Sequence, residues 1–447
     1  MKKQLASTLA LLPLACMAQD KPNVIVLYID DMGIGDVSCY GGKITPTPNI
    51  DRLAEQGIRF EQYYSAAPVS SPSRVAVTTG QYPIRHHINT FLSSRKHNQL
   101  CEQEDFLKDT SFSMAKAFKQ AGYATAHIGK WHMGGGRDVK NAPSILNYGF
   151  DECVSTYESP NPDPLLTSTN WIWAATDSIK RWNRTAYFCE KALDFITRQH
   201  GKPFFLNLWP DDVHSPWIPE DMADEKKAWY AEKGFTPVMA EMDRVLGEFF
   251  NSLEQLGVAD NTIIIFTSDN GPSPSFQRKR TMGLRGTKNS LYEGGIRMPF
   301  IVRYPQGITP GQINKETVLC ATDLYPTLCA MTGIHPEKDF RGDGEDFSQA
   351  VLGKQSPERT TDLMWDFGRN KQYFKFAKEL EAQSPHLAIR RGNLKLLCNG
   401  DGSDIQLYDL SKDKFETKNI ANQYPKLVKE LQQKICKWFE ENKIKKL

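Results

Sequence analysis

The fold is decided by Val24-Ile25-Val26-Leu27-Tyr28, an uninterrupted apolar run that is followed almost at once by Asp30-Asp31. Continuous runs of apolar and β-branched residues are typical of strands that are covered on both faces. Three more such runs occur further along the chain, at residues 124–128, 204–208 and 262–266. Amphipathic segments between the runs predict helices, at residues 49–56, 111–120, 185–199 and 238–256. This alternation predicts an α/β fold with a large, mostly parallel mixed sheet flanked by helices.

The C-terminal part of the chain has a different pattern. Short apolar segments at residues 387–390, 394–397 and 406–410 alternate with turns at Gly392 and Asn399-Gly400, and a helical pattern covers residues 424–442. Short strands joined by tight turns favour an antiparallel sheet. We therefore expect one large domain over residues 20–360. A smaller C-terminal α+β subdomain, an antiparallel sheet plus one helix, is expected over residues 361–447.

Composition indicates an ordinary globular protein. The 447 residues include 55 Lys and Arg against 53 Asp and Glu, which gives a formal net charge of +2. Because these charges are spread along the chain, no basic stripe of the kind that binds nucleic acid is present, and we expect no nucleic-acid partner. The hydrophobic fraction of 40% argues against disorder.

The N-terminus predicts export. Met1-Lys2-Lys3 is a short positive region, and the mostly apolar residues 5–18 are too few to span a bilayer comfortably. This pattern is typical of a secretory signal peptide, here over residues 1–19. We expect a periplasmic or secreted protein with no transmembrane span in its mature chain. A lipoprotein anchored through Cys16 is the less favoured alternative, because Pro13 lies where an aliphatic residue is usual.

The cysteines do not indicate a metal site. Eight remain after Cys16, and none forms a CxxC pair, so a zinc site is not expected. One or two disulfides stay open for an exported protein, but their pairing cannot be deduced from the sequence.

Polar side chains, most of them ionisable, follow each of the four apolar runs, where each predicted strand ends. In open α/β sheets, ligands bind outside the carboxyl ends of the strands. We therefore expect these groups to meet at one edge of the sheet. They are Asp30, Asp31, Lys130, His132, His214, Asp269 and Asn270.

The acidic members of this set predict a cation site. Asp30, Asp31, Asp269 and Asn270 offer oxygen ligands and no soft ones, which suits Ca²⁺ better than Zn²⁺, with Mg²⁺ as the fallback. A single Asp-Asp or Asp-Asn-Gly would be an ordinary turn or helix cap. Two such pairs, each ending a strand of one sheet, favour metal binding.

The stretch Ser70-Ser71-Pro72-Ser73-Arg74 predicts the start of a helix. Pro72 suits the first turn, with Ser70 at or just before the cap. Unpaired N–H groups at a helix N-terminus attract anions, and the guanidinium of Arg74 adds a permanent positive charge. A capped helix alone would explain the stretch, so its neighbours decide the interpretation.

Several motifs together resemble type I sulfatases, in the alkaline phosphatase superfamily. The central one is Ser70-x-Pro72-Ser73-Arg74 followed by Thr79-Gly80. In members of that family the first residue of this motif, Cys or Ser, is oxidised to formylglycine. The resemblance covers nearly the whole mature chain. It extends to Asp30-Asp31, Gly129-Lys130-Trp131-His132, His214-Ser215-Pro216, Ser268-Asp269-Asn270-Gly271, Arg285-Gly286-Thr287-Lys288, Tyr292-Glu293-Gly294-Gly295-Ile296-Arg297 and Leu407-Tyr408-Asp409-Leu410 with Glu416-Thr417.

The resemblance implies a role for each matching residue. Ca²⁺ would be held by Asp30, Asp31, Asp269 and Asn270, together with the formylglycine hydrate derived from Ser70. Arg74, Lys130 and Lys288 would stabilise the hydrate and the charge that develops on the sulfate oxygens. His214 would protonate the leaving alcohol, and His132 would act as the base for sulfate release. Residues 20–360 would then be the catalytic domain.

Chemistry explains why an aldehyde is useful. A plain serine would be left with a stable sulfate ester, whereas a hydrated aldehyde has a second hydroxyl whose deprotonation expels sulfate. Because Ser70 replaces the commoner Cys, the resemblance implies maturation by a serine-accepting radical enzyme. Gln81 and Thr287 also depart from the family pattern, at positions without an assigned role.

The expected function is hydrolysis of a sulfate ester on a carbohydrate. Exposed aromatic rings stack well on sugars, so Trp171, Trp173 and Trp182 are candidate platforms, although core packing explains them equally well. Arg369, His386 and Arg390 could reach an anionic sugar or form a solvated charged face. Two alternatives remain: a phosphodiesterase or phosphonate hydrolase of the same superfamily, and an inactive glycan-binding relative.

Overall fold

The computed structural model describes residues 21–167, 172–336, 338–369, 372–375 and 380–443. In these ranges the chain forms a nine-stranded sheet with helices on both faces and a separate four-stranded antiparallel sheet. The fold class predicted from the sequence is thereby confirmed. The predicted signal peptide lies outside the described residues. None of the described helices combines the length and apolarity that crossing a bilayer requires.

Thirteen strands carry the two sheets. They are β1 (Asn23–Ile29), β2 (Ile58–Tyr64), β3 (Ala124–Gly129), β4 (Glu152–Ser155), β5 (Phe204–Trp209), β6 (Thr262–Ser268), β7 (Arg297–Arg303), β8 (Gln312–Asn314), β9 (Leu319–Cys320), β10 (Leu363–Asp366), β11 (Leu387–Arg391), β12 (Leu394–Cys398) and β13 (Gln406–Asp409).

The described α-helices range from single turns to one of 24 residues. They are α1 (Pro48–Glu55), α2 (Ser70–Thr79), α3 (Arg95–Leu100), α4 (Met114–Gln120), α5 (Arg184–Thr197), α6 (Glu232–Gln255), α7 (Glu293–Ile296), α8 (Leu324–Thr332), α9 (Ser348–Val351) and α10 (Pro425–Asn442).

The larger sheet has the strand order β4-β3-β5-β1-β6-β7-β2-β8, and β9 also pairs with β2. From β4 to β6 all neighbours are parallel, whereas β7 is antiparallel to both of its neighbours. Leu27 in the central strand β1 lies opposite Leu208 on one side and Phe266 on the other. The carboxyl ends of β3, β5, β1 and β6 therefore lie side by side at one edge.

Alternate residues of β1 enter two different cores, which explains its uninterrupted apolar run. Val24 and Tyr28 pack in the core shared with α2, α4 and α8. Ile25 and Leu27 pack on the opposite face with α1, α5 and α6. Because side chains alternate across a strand, burial on both faces requires apolar residues at every position.

The C-terminal sheet has the order β10-β11-β12-β13, and one face of it packs against α10. Ile389 and Leu396 of the sheet share a core with Leu431 and Ile435 of the helix, and Tyr82 from the larger unit joins them. The antiparallel sheet and single helix predicted for this region are confirmed.

Helix boundaries agree with the sequence to within a few residues, except at α6. The sequence predicts this helix from residue 238, whereas it begins at Glu232 and contains Pro237. Pro237 is unusual in this position, because proline lacks the N–H that a helix interior needs. Here the carbonyl left without that donor belongs to the exposed Lys233 near the helix start, where water can satisfy it.

The cysteines of the described ranges all carry free thiols. None of the disulfides that the sequence left open is therefore present among them.

A buried ion cluster ties the C-terminal sheet to the larger sheet. The Lys395 ammonium on β12 lies 3.0 Å from Glu293 Oε1, at the start of α7, and 2.9 Å from Glu416 Oε1. All three side chains are inaccessible to solvent. Glu416 also accepts a hydrogen bond from the backbone N–H of Glu293, at 2.7 Å. Removing the ammonium would leave two carboxylates buried without their shared cation.

We predict that Lys395→Met lowers the free energy of unfolding by about 3–5 kcal/mol, because an uncompensated buried charge is strongly destabilising. Urea denaturation measures this difference. The matched control is Lys412→Met. The Lys412 side chain is 81% exposed beside Asp409, so its replacement should change stability by less than about 0.5 kcal/mol. Equal stabilities for both variants would contradict the role of the cluster.

Candidate active site

All of the predicted catalytic and metal-binding residues meet at the carboxyl edge of the larger sheet. Most of them lie in the segment that directly follows a strand. The exceptions are Ser70 and Arg74, which belong to α2, and Lys288, which lies in the loop before α7. Hydrogen bonds, ion pairs or a shared cavity connect Asp30, Asp31, Ser70, Arg74, Lys130, His132, His214, Asp269, Asn270 and Lys288.

Ser70 lies where this edge meets the start of α2. Val69 has an extended backbone and is the N-cap, so Ser70 is the first helical residue. The Ser70 hydroxyl donates to Asp30 Oδ1 at 2.9 Å and lies 3.4 Å from Asn270 Oδ1. The expectation that Ser70 lies at or just before the cap is thus wrong by one position. Its side chain faces Asp30 and Asn270 instead of the helix N–H groups.

Three carboxylates form the base of the site. Asp30 and Asp31 directly follow β1, Asp269 directly follows β6, and oxygens of all three lie within 4.8 Å of one another. None of the three is exposed to solvent. Successive side chains of a strand point to opposite faces. The left-handed backbone of Asp31, with φ of 59°, breaks that alternation, so both neighbours reach the same point.

Two buried cations pair with these carboxylates, and one of them, Arg74, bridges Asp30 and Asp269. Arg74 Nη2 lies 2.8 Å from Asp269 Oδ2 and 3.3 Å from Asp30 Oδ1. Lys130 Nζ lies 2.7 Å from Asp30 Oδ2. Arg74 also donates from Nη1 to the carbonyl of Lys130 at 2.9 Å, which links the two cations. Positive charge from α2 and from the end of β3 therefore opposes the repulsion between the carboxylates.

Asp31 has a separate set of partners. Lys288 Nζ lies 2.8 Å from its carboxylate, and Asn270 Nδ2 donates to Oδ1 at 2.7 Å. The Ser273 hydroxyl donates to Oδ2 at 3.0 Å, and His214 Nε2 lies 3.7 Å from the same atom. Because the Asn270 amide nitrogen faces Asp31, its oxygen faces Ser70.

The site is suited to one more positive charge. Burial, followed by the neighbouring Asp30 charge, raises the pKa of Asp269 to about 7. Lys130 and other nearby cations hold the pKa of Asp30 well below its usual range, although burial opposes them. The protein's own cations therefore neutralise the three carboxylates unevenly. An all-oxygen set with the Asn270 amide oxygen beside it fits a hard divalent cation such as Ca²⁺.

The partners of His132 determine which of its ring nitrogens carries the proton. Nε2 lies 3.1 Å from the carbonyl oxygen of Leu92 and 3.3 Å from Glu158 Oε2. Despite its burial, the pKa of Glu158 is lowered to about 2, chiefly by His132 and Lys130, so both partners are acceptors. Nε2 must therefore be the donor. Nδ1, which is buried and bonds to no described residue, keeps its lone pair.

Both active-site imidazoles are neutral at neutral pH. Burial lowers the pKa of His132 to about 3. Burial and then the Lys288 charge lower the pKa of His214 to about 4. His214 Nδ1 lies 2.6 Å from the carbonyl oxygen of Ser215, which leaves Nε2 as its free acceptor.

A cavity of about 340 Å³ opens above Ser70. Its buried end is lined by side chains already described, and its outer end by residues that the sequence analysis did not single out. The part of the cavity at Ser70, called the buried end, has Ser70, Lys130, His132, His214 and Lys288. The exposed residues Arg137 and Lys375 mark the outer end, and Phe91, Tyr157 and Ile172 also line the cavity.

Sequence reasoning missed several supporting residues. Glu158 contacts His132, and Arg280 donates to the carbonyl of Asp31 at 2.8 Å while it pairs with the buried Asp36. Asp36 lies in the Asp-Asp-Met-Gly-Ile-Gly-Asp stretch, so its position was a usable signal. Glu158 lies in a loop after β4, and no feature of that stretch marks it.

The candidate sugar platforms are not at the cavity, in so far as they are described. Trp171 lies outside the described residues. Trp173 packs against Trp229, with ring centroids 5.5 Å apart, and lies 6.5 Å from Trp182, which lines a different cavity. The neighbouring Ile172 lines the Ser70 cavity instead.

The candidate cations of the C-terminal subdomain have structural partners. Arg369 pairs with Asp366 at 2.5 Å, and the backbone N–H of Gly400 donates to His386 at 2.5 Å. Arg390 is buried and donates to Gln62 Oε1 at 2.6 Å. None of the three lines the Ser70 cavity. Nor do they form a solvated charged face, since these contacts hold them within the fold.

Family models match both parts of the chain. The model described as Sulfatase matches residues 22–334. A second, described as N-sulphoglucosamine sulphohydrolase, C-terminal, matches residues 286–441.

Individual proteins match over most of the chain. An N-acetylgalactosamine-6-O-sulfatase of Bacteroides thetaiotaomicron is 32% identical and aligns over 92% of this chain and 92% of its own. The N-acetylgalactosamine-6-sulfatase of Homo sapiens is 32% identical over 75% of this chain and 66% of its own.

Solved structures share the fold. One from Bacteroides thetaiotaomicron, reported with the metabolism of multiple glycosaminoglycans, has a TM-score of 0.74 at 28% identity and covers 93% of this chain and 98% of its own. Ps i-CgsB in complex with k-i-k-neocarrahexaose has a TM-score of 0.75 at 24% identity, with 95% and 94% covered, and supports the fold alone.

Proposed function

Because the chain belongs to the sulfatase family and hydrolyses sulfate esters of sugars, we propose that Ser70 is the residue at which this reaction occurs. The observation that carries the proposal is the hydrogen bond of 2.9 Å between the Ser70 hydroxyl and Asp30, at the bottom of a cavity lined by three lysines and two histidines. A nucleophile placed between carboxylates and cationic donors suits attack on an anionic ester.

A bound calcium ion completes the proposed site. Asp30, Asp31, Asp269 and Asn270 would hold it, with the side chain at position 70 as a further ligand. When bound, such an ion lowers the pKa of a coordinated hydroxyl and neutralises charge on a sulfate oxygen. The support is the convergence of three buried carboxylates, one of which has a raised pKa.

Ser70 is proposed to be converted to formylglycine by a serine-accepting radical enzyme. The aldehyde supplies, in its hydrated form, two hydroxyls on one carbon, so that sulfate can leave without attack by an external water. Ser70 is the first residue of the motif that carries the family resemblance, and its buried side chain already faces Asp30.

The buried end of the cavity would bind the sulfate group. Lys130 and Lys288 present ammonium groups there, and each is held by an aspartate, so little reorganisation is needed when the sulfate arrives. Arg74 pairs with Asp30 and Asp269, and its positive charge would stabilise the negative charge that develops on the side chain at position 70.

The two histidines are proposed to move protons. His132 is the base for sulfate release, since its Nδ1 keeps a lone pair at neutral pH. His214 protonates the leaving alcohol from Nε2. A bound sulfate would supply the negative charge that raises the low pKa of His214 towards the range this task needs.

The proposed substrate is a sulfated glycan that contains a 6-O-sulfated amino sugar. The support is the 32% identity to N-acetylgalactosamine-6-sulfatases over most of the chain.

We also propose residues 20–360 as the catalytic domain and 361–447 as the C-terminal subdomain. Export to the periplasm or medium is proposed from the positive and apolar residues at the N-terminus. An inactive glycan-binding relative is set aside, since the chain is a hydrolase with all the expected ionisable residues present.

We predict that Ser70→Ala lowers turnover of a sulfated sugar by at least about 1000-fold, because it removes the nucleophile. Initial rates on 6-O-sulfated N-acetylgalactosamine measure the loss, and circular dichroism checks the fold. The control is Ser71→Ala. Its hydroxyl accepts from the Leu92 N–H at 2.9 Å and does not face the carboxylates, so that variant should stay active.

Two outcomes would contradict the assignment of Ser70. One is retained activity in Ser70→Ala. The other is a higher kcat/KM for a phosphodiester or phosphonate than for the sulfate ester, which would favour the alternative hydrolase. Mass spectrometry of the Ser70 peptide from the native host should show a loss of about two mass units, the two hydrogens removed when an alcohol becomes an aldehyde.

We predict that chelation lowers both activity and the thermal midpoint, and that Ca²⁺ restores them better than Mg²⁺. At 100-fold excess over its dissociation constant, a ligand stabilises the folded state by about 2.7 kcal/mol. Asp269→Asn should weaken this response markedly, because it replaces a charged carboxylate ligand with a neutral amide of nearly equal size. Asp401→Asn, in an exposed C-terminal turn, is the control. A full calcium response in Asp269→Asn would exclude this metal site.

We predict that Glu158→Gln lowers kcat by about 10-fold or more, since the amide no longer fixes the proton of His132 on Nε2. The KM for a monosulfated sugar should change little, because Glu158 positions a proton carrier and does not bind the sulfate. Steady-state kinetics separates the two constants. Glu152→Gln, at a surface pair with Arg198, is the control, and an unchanged kcat in Glu158→Gln would refute the positioning role.

A further inference from the structure

The Ser70 cavity continues beyond the residues assigned to the reaction. Its outer end carries two more cations, Arg137 and Lys375, at the boundary with solvent. Neither contacts Ser70 or the three aspartates among the described contacts. Their charge is therefore not needed to balance the buried carboxylates.

The charges that line the cavity do not cancel. Lys130 forms an ion pair with Asp30, and Lys288 forms one with Asp31. Glu158 is the one carboxylate among the lining residues, and it lies between His132 and Arg137. Lys375 forms no ion pair with any described carboxylate. The outer end of the cavity, its mouth, therefore has a net positive charge, and Lys375 is the cation there that no described carboxylate pairs with.

Both outer cations are held in place, and of the two only Arg137 is paired with a carboxylate among the described residues. Arg137 Nη2 lies 3.2 Å from Glu158 Oε1, and its guanidinium lies 5.9 Å from the ring centroid of Tyr157. The Lys375 ammonium lies 5.0 Å from the ring centroid of Phe91. Aromatic faces orient cations while leaving their other donors free. Each cation can therefore still bind an anion that enters the mouth.

The two cations act on the same region of space. Phe91 packs edge-on against His97, with ring centroids 4.6 Å apart. After burial, the charges of Lys375 and Arg137 are the causes that lower the pKa of His97. Their fields therefore overlap at His97, which packs against the cavity residue Phe91.

We propose that Arg137 and Lys375 form a second anion subsite that selects sulfated sugars carrying a further anionic group next to the sulfate that is cleaved. The ligand chemistry is a carboxylate or a second sulfate on the same or the neighbouring sugar. This inference rests on the proposed function, since it takes the buried end of the cavity as the place where the first sulfate binds. A basic mouth also attracts polyanionic glycans over longer distances.

The test compares kcat/KM for four substrates with the mature protein. They are a 6-O-sulfated N-acetylgalactosamine, a disaccharide that joins it to a uronic acid, the same disaccharide with its carboxylate reduced to an alcohol, and a disaccharide with a second sulfate and no carboxylate. The carboxylate-bearing or doubly sulfated disaccharide should be preferred over the reduced one by about 5-fold or more, the effect of one exposed ion pair. The preference should shrink as salt is added. The relative response to the two anionic disaccharides identifies which anion the subsite takes.

Two variants locate the preference. Lys375→Gln and Arg137→Gln should each reduce the ratio of kcat/KM between the anionic and reduced disaccharides by about 5-fold, through KM. Lys140→Gln, an exposed lysine that does not line the cavity, should keep the wild-type ratio.

The proposal is overturned if the wild type treats the reduced and anionic disaccharides alike, or if both variants keep the full ratio. Failure of the proposed function gives a different result, because then no sulfate ester is hydrolysed at all. In that case, calorimetric affinities of the same protein for the two disaccharides decide the subsite alone, and equal affinities overturn it.

Discussion

Three buried carboxylates within 4.8 Å of one another are the constraint on which the rest of the structure depends. At that separation two like charges repel by roughly 3 kcal/mol or more, even with an effective dielectric constant of about 20. The protein opposes this repulsion with Arg74, Lys130 and Lys288, each in ion-pair contact with at least one of the three. Charge balance at this point dictates which segments of the chain must meet.

The parallel sheet delivers those segments, and its neighbours hold them. Asp30, Asp269 and Lys130 are each within two residues of a strand end, so the pairing of β3 with β5, of β5 with β1 and of β1 with β6 brings them to the same edge of the sheet. Lys288 comes from a loop instead, and two contacts anchor this loop on the C-terminal side of Lys288. The Asn289 N–H donates to the carbonyl of Pro68 at 2.8 Å, and Glu293 belongs to the buried cluster with Lys395. The C-terminal sheet thus supports a residue of the active site without lining it.

Much of this arrangement could be predicted from the sequence, because strand ends in a parallel sheet converge. The four apolar runs and the polar residues that follow them were enough to predict the α/β fold and the meeting of Asp30 with Asp269. The position of Ser70 was predicted less well. A serine shortly before a proline is typical of a helix cap. Only the tertiary contacts of the Ser70 hydroxyl with Asp30 and Asn270 show that it does not bond to the helix N–H groups. Glu158 and Lys375 could not be predicted, since loops without a periodic pattern bring them to the cavity.

X-ray diffraction from crystals of the natively matured protein grown with Ca²⁺ tests the central claim most directly. The account predicts a divalent ion at about 2.3–2.6 Å from oxygens of Asp30, Asp31, Asp269 and Asn270, with the side chain at position 70 beside it. An empty site in saturating calcium would contradict it. In that case Asp30 and Asp31 would still have only Lys130, Lys288, Arg74 and the described hydrogen-bond donors as partners.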